Sequence, residues 1–286
     1  MTDETTFMTK SCKTIFSILF LILLEMGFAH LAFSADGGQD FLNYSYFSEL
    51  GVGGYDTDDS EVRAIQVPFS YQLREIEEKK CGIKLLFPVT FGVLGLDAVN
   101  DLGDVISLDV EALTIVPGIE LQIPVRKRWV LKPFGKAGAG KDVSGGEFAF
   151  IYSAGLKSSY RIPWRQFSFT LGTAIAFDGF KREGEERQDY SSVSIGWDTI
   201  YPMKWRFKGK KTNIGGWISY YYFLDDLEFE RTQQAPLEIG NQFEVALTFG
   251  TYEKIPIWFF KFNRIGLAYR FSEDLRAIRI VSEFPF

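Results

Sequence analysis

The sequence is poor in the residues that most enzyme centres require. Its 286 residues include one histidine, His30, and two cysteines, Cys12 and Cys81. A Ser-His-Asp triad or a histidine-rich metal centre needs imidazoles that this chain does not offer. No paired-cysteine pattern and no glycine-rich phosphate loop occurs. Past Ala35 no apolar run approaches the about 20 residues a membrane-spanning helix needs. Lys and Arg number 31 against 37 Asp and Glu, a net charge of -6, so no basic excess points to nucleic acid as a partner. These absences set the expectation: no catalytic residues, no metal ligands, no cofactor, and not an enzyme. What the chain has in quantity is aromatic rings, with 28 Phe, 13 Tyr and 6 Trp.

The N-terminal stretch has its own composition. Lys10 and Lys13 precede the apolar run Thr14 to Leu24, and Ala32 and Ser34 supply small residues ahead of Ala35. A basic start, an apolar middle and a small-residue exit make a secretory signal peptide over residues 1–34. Its removal takes away both His30 and Cys12, leaves Cys81 alone and brings the net charge to -5. The expected mature domain is 35–286.

From there on the dominant pattern is alternation. Ile65, Val67, Phe69 and Tyr71 share one face, as do Phe243, Val245, Leu247 and Phe249, and again Ile265, Leu267, Tyr269 and Phe271. A period of two means strands. Twelve are expected, near 43–55, 62–73, 82–94, 110–125, 129–141, 147–161, 166–178, 189–202, 212–224, 237–251, 264–272 and 275–286. A soluble sandwich or soluble barrel shares this period. Here the second face is rich in Gly, Ala, Ser and Thr with single charges, while the first carries bulky rings. That combination fits an all-β, transmembrane antiparallel barrel with a wet interior and a lipid-facing exterior, both termini periplasmic, in the bacterial outer membrane.

Two features not used to place the strands follow the same topology. Trp129, Trp164, Trp205 and Trp258 fall at alternate connections, where a periplasmic aromatic girdle is expected. Those connections carry 16 basic and 4 acidic residues, and the opposite set carries 22 acidic and 6 basic. The acidic stretch Asp56 to Glu61 lacks the spacing of a dedicated calcium loop. The final strand carries Ile278, Ile280, Phe284 and Phe286 on one face, the form of an outer-membrane assembly signal. Counting up from the basic edge places seven inward charges at a similar height: Glu49, Glu120, Lys136, Lys157, Glu244, Arg270 and Arg279. Neighbouring strands then offer the pairs Glu120–Lys136, Glu244–Arg270, and Glu49–Arg279 across the seam between the first and last strands.

The stretches QVPFSYQLRE, LLFPVTFG, IVPGIELQIPV, LKPFGKAGAGKD, GNQFEVALTFGT and the ending RIGLAYRFSEDLRAIRIVSEFPF together resemble the solitary outer-membrane autotransporter-like β-barrels. The resemblance covers nearly all of the mature chain. It implies a translocator-type barrel without a passenger, with outer-membrane lipids and the barrel assembly machinery as partners, and it supplies no catalytic motif. The residues from Ala35 to the first strand are too few for a passenger and short for a plugging helix. The functional expectation is a passive pore; the alternative is a structural, adhesive or assembly-linked barrel with a closed lumen.

Overall fold

A computed structural model describes residues 44–49, 52–57, 60–77, 80–94, 112–142, 148–184, 186–229, 237–257, 260–273 and 275–286. The leader and Trp258 lie outside these described residues. One short helix, α1 (Tyr44–Glu49), precedes an antiparallel sheet. Its strands are β1 (Val52–Thr57), β2 (Ser60–Arg74), β3 (Gly82–Leu94), β4 (Ala112–Ile115), β5 (Gly118–Arg126), β6 (Trp129–Asp142), β7 (Phe148–Trp164), β8 (Phe167–Arg182), β9 (Arg187–Phe207), β10 (Lys210–Phe229), β11 (Leu237–Ile257), β12 (Phe260–Phe271) and β13 (Leu275–Val281).

The strands occupy twelve positions, because β4 and β5 both lie between β3 and β6. Val116 and Pro117 separate them, and proline has no N–H to give a ladder. The break is stitched by Val116 N–H to Pro88 O at 3.3 Å and Ala137 N–H to Pro117 O at 2.9 Å. Each strand otherwise pairs with its neighbours in sequence, and β1 also pairs with β13 from Val52↔Ile280 to Thr57↔Leu275. β1 thus has a described partner on each side, β2 and β13.

Tight turns gather at one edge. Lys127 and Arg128 join β5 to β6, Arg165 and Gln166 join β7 to β8, and Lys208 and Gly209 join β9 to β10. Lys208 and Gly209 both have positive φ, 47° and 76°, the geometry that matches a hairpin's twist and that glycine adopts without strain.

The two sheet faces are chemically inverted relative to a soluble domain. One register row runs Trp197, Ile218, Val245, Tyr269, Ile278 across β9 to β13, and every one of these side chains is exposed. The next row runs Gly196, Ser219, Glu244, Arg270, Ala277, and every one is buried. Apolar groups face out and charges face in.

Both ends of the chain depart from the expected strands. The first strand does not start at 43: Tyr44–Glu49 is helical, and β1 begins at Val52. Tyr–Ser–Tyr–Phe–Ser alternates like a strand, but the helix is fixed by contacts no local pattern shows. Ser45, Tyr46 and Ser48 are buried, and Ser48 Oγ–H donates to the Ser45 carbonyl at 2.8 Å. The helix touches β3, β4, β7 and β8.

The last strand stops at Val281, not Phe286. Ile278 and Ile280 are exposed as expected, whereas Phe286 is buried on the opposite face. Pro285 cannot extend the ladder, and the strand yields to a segment, Ser282–Phe286, that turns against the buried face.

Candidate functional site

The buried face carries two groups of charges with different partners. On β9 to β13 acids and bases pair with one another, although Arg279 Nε has no hydrogen-bond partner among the described residues. Glu244 on β11 faces Arg270 on β12 in register, and Arg270 Nε–H donates to Glu244 Oε2 at 3.0 Å. Arg279 on β13 donates to the same oxygen, and the Trp217 indole N–H reaches Oε1 at 3.0 Å. A second pair is bidentate. Arg264 donates from Nη1 to Asp198 Oδ2 at 2.9 Å and from Nη2 to Oδ1 at 2.6 Å, a fork geometry that is strong and directional. Arg264 also donates through Nε–H to Thr248 Oγ1 at 2.5 Å, and its guanidinium lies 5.0 Å from the Trp217 ring.

Helix α1 leans on this region. Gln242 Nε2–H donates to the Tyr46 hydroxyl at 2.5 Å, and the Tyr46 ring meets Phe223 edge-on at 6.3 Å. Burial pushes the Tyr46 phenol above its ordinary pKa range, against the opposing pull of Arg270, Gln242 and Arg279. Tyr46 is a neutral hydrogen-bonding anchor.

The other group lies on β3 to β7 and is mostly basic. Lys132 on β6 and Lys157 on β7 stand directly opposite each other. Like charges in that relation repel. Lys132 Nζ donates to the backbone oxygen of Phe286 at 2.8 Å, and Lys84 on β3 pairs with Glu283 at 2.9 Å. Lys136 and Lys157 lie 5.4 Å and 5.3 Å from the centre of the Phe134 ring, within cation–π range. The crowding around Glu283 raises its carboxyl pKa, but Lys84, Lys157 and Lys132 outweigh that effect and hold it below the ordinary range.

The terminal segment has a seat of its own. A side-chain carbon on Gly172 would come within 2.4–2.6 Å of the Phe286 side chain, and one on Gly196 within 2.5 Å of its ring. Phe284 packs edge-on against Trp217 at 5.9 Å. The absence of two side chains thus makes the hollow that holds Phe286.

Of the expected inward charges, the structure brings together Glu244, Arg270 and Arg279 as one cluster. Of the expected seam pair, Glu49 lies on α1 and not on a strand, its side chain falls outside the described residues, and Arg279 pairs with Glu244. Glu120 and Lys136 do not meet directly. Their register partners are Phe134 and Gly118; Glu120 accepts from Gln122 Nε2 at 3.3 Å, and Lys136 lies over Phe134. Trp129 is half-buried and donates to Ser158 Oγ at 2.9 Å, while Trp164 and Trp205 are exposed beside their turns. Cys81 immediately precedes β3. It is buried against Leu121 and Ile123 and is not free; the chain's other cysteine, Cys12, lies outside the described residues.

Sequence reasoning missed Asp198, Trp217, Arg264, Lys84, Lys132 and Glu283. Asp198 carried a usable signal, since it follows Ser194 and Gly196 at period two on the small-residue face. Glu283 carried none, because its position depends on the strand ending early. Among the described residues no three His, Cys, Asp or Glu side chains are grouped to hold a metal ion. Comparison with protein-family models and with curated proteins finds no match.

Proposed function

We propose that the chain is an integral β-barrel of the bacterial outer membrane whose lumen is closed by its own α1 and terminal segment. It would act as a structural, adhesive or assembly-linked barrel, without catalysis. The observation that carries this reading is the inversion of the faces. Exposed Trp197, Ile218, Val245, Tyr269 and Ile278 form an apolar row across five strands while Glu244, Asp198, Arg264 and Arg270 are buried. Water would disfavour such an exterior, and an acyl-chain environment favours it. Strands β9, β10 and β11 have 21, 20 and 21 residues, well beyond the about 9–11 that cross a bilayer when tilted. They would project past it, which agrees with the acidic connections at that end. Outer-membrane lipids and the barrel assembly machinery are the partners this reading implies. The likeness to solitary autotransporter-like barrels belongs to the same proposal and rests on the sequence stretches quoted above.

Closure is supported by Gln242, Glu244, Thr90 and Thr114, all with 1% exposure or less on the buried face. A passive pore is the second reading, favoured by a cavity of about 470 Å³ at the edge of the tight turns. Purified folded protein in planar bilayers separates them. The closed reading expects no steady conductance steps from the full chain and steps once Phe284 and Phe286 are both changed to alanine. Stable ohmic conductance from the full chain would establish the pore. A mature protein recovered in the soluble fraction would overturn both.

A further inference from the structure

The cavity at the turn edge has an uneven lining. Arg126, Lys127, Arg128 and Arg161 supply four cations, with Glu77 the one acid. Glu77 is engaged by Lys80 at 3.0 Å. Among the described residues no carboxylate forms an ion pair with any of the four cations. Pro124, Val130 and Ser159 line the same cavity. In register, Pro124 pairs with Val130 and Val130 with Ser159, so the cavity lies on one face of β5, β6 and β7.

Two residues further along these strands, on that same face, stand Lys132 and Lys157, directly opposite each other. A basic strip thus leads from the exposed arginines to a like-charged pair. Each neighbouring arginine or lysine raises the free energy of the rest, unless an anion lies among them. The protein itself places oxygens at the far end of this strip, with the Phe286 backbone oxygen on Lys132 and the Glu283 carboxylate on Lys84. Among the described residues the near end, around Arg126 and Arg161, has no such internal acceptor.

We infer that the cavity edged by Arg126, Lys127, Arg128 and Arg161 is a binding site for a multivalent, phosphate-bearing anion. A monocarboxylate would neutralise one cation; a diphosphate presents enough oxygens for two guanidinium forks and a lysine together. The volume of about 470 Å³ is within the about 300–1,000 Å³ range of small-molecule sites. Ile76, Pro124 and Val130 give it an apolar wall for the part of a ligand that carries no charge. The same chemistry is offered by a soluble phosphate compound and by a phospholipid headgroup. The inference does not depend on the barrel's being open or closed.

The test is calorimetric titration of the full-length folded protein in uncharged detergent with inorganic pyrophosphate, beside a titration with nanodiscs of cardiolipin, whose headgroup carries two phosphates. Saturable binding of pyrophosphate assigns a soluble anion; binding confined to the anionic lipid assigns the headgroup. Either supports the site, provided Arg126→Ala and Arg161→Ala each weaken it by about tenfold, the loss expected for one charge-assisted contact. Lys181→Ala, on the exposed far end of β8, should leave it unchanged. Lys127→Ala with Arg128→Ala serves as a second probe should either arginine variant lose its folded gel mobility. No saturable binding to either probe, or equal binding by all the variants, would overturn the inference.

Discussion

The two charged regions of the buried face solve the same problem in opposite ways. On β9 to β13, Glu244 accepts from Arg270 and Arg279, and Asp198 takes Arg264 in a bidentate grip. Acid and base there come from adjoining or nearby strands, so the sheet's own register completes the network. On β3 to β7, Lys132 faces Lys157, and the oxygens that meet Lys132 and Lys84 arrive from Ser282–Phe286, beyond the last strand. One region is satisfied by the sheet alone. The other is satisfied by a segment outside the sheet.

Removing a charge should expose that difference. Glu244→Ala strips Arg270 and Arg279 of their shared acceptor while both side chains stay largely enclosed. Breaking a buried pair from one side costs about 3–5 kcal/mol, so the unfolding midpoint in urea should fall further than for any other single change on this face. Asp198→Asn keeps the shape and one acceptor oxygen for Arg264, with Thr248 and Trp217 still in place. A loss of about 2 kcal/mol is expected, in line with a weakened charge-assisted bond. If both variants unfold like the parent, the network contributes no stability and the contrast between the regions fails.

The sheet was legible in the sequence where its cause is local. Alternation of large apolar and small residues gives strands directly, and for ten of the twelve positions the expected span lies on the observed one. The Glu244–Arg270 partnership was legible too, because both residues sit on the small-residue face of neighbouring strands. What could not be read were the ends. Tyr44–Glu49 alternates like a strand yet is helical, since Tyr46 is held by Gln242, about 200 residues away in sequence. Phe286 continues the alternation of Ile278 and Ile280, yet it leaves the sheet for a hollow made by Gly172 and Gly196 on other strands. A single-strand pattern records which side a residue prefers. It does not record a vacancy elsewhere that competes for it.

That vacancy can be filled on purpose. Gly172→Ala sets a methyl group against Cβ and two ring atoms of Phe286, so that side chain must withdraw. Phe286→Ala vacates the same hollow from the other side. Each should lower stability by about 1.5–3 kcal/mol, the worth of burying a large apolar side chain. The double variant should lose no more than the larger single loss, because both remove one contact. Additive losses would mean that Phe286 and Gly172 act separately, and the terminal segment would no longer explain how the basic region is completed.

The smallest effect should come from Glu283, and its sign is fixed by the lysines around it. The side chain of Glu283 is 67% accessible, so water screens its pairing with Lys84, and Glu283→Gln should cost less than about 1 kcal/mol at neutral pH. Its carboxyl pKa is held below the ordinary value, because Lys84, Lys157 and Lys132 together outweigh the opposing effect of its crowded setting. A carboxyl whose pKa falls on folding binds fewer protons in the folded state. Its contribution is present in full above the unfolded-state value of about 4.3 and is lost as pH falls through the lower folded value. The gap in unfolding midpoint between the parent and Glu283→Gln should therefore be constant from pH 7 to about 5 and close toward pH 3. Lys84→Gln should reproduce most of the gap at pH 7. A gap that widens in acid would show that protonated Glu283, not its charge, is what holds the segment against the sheet.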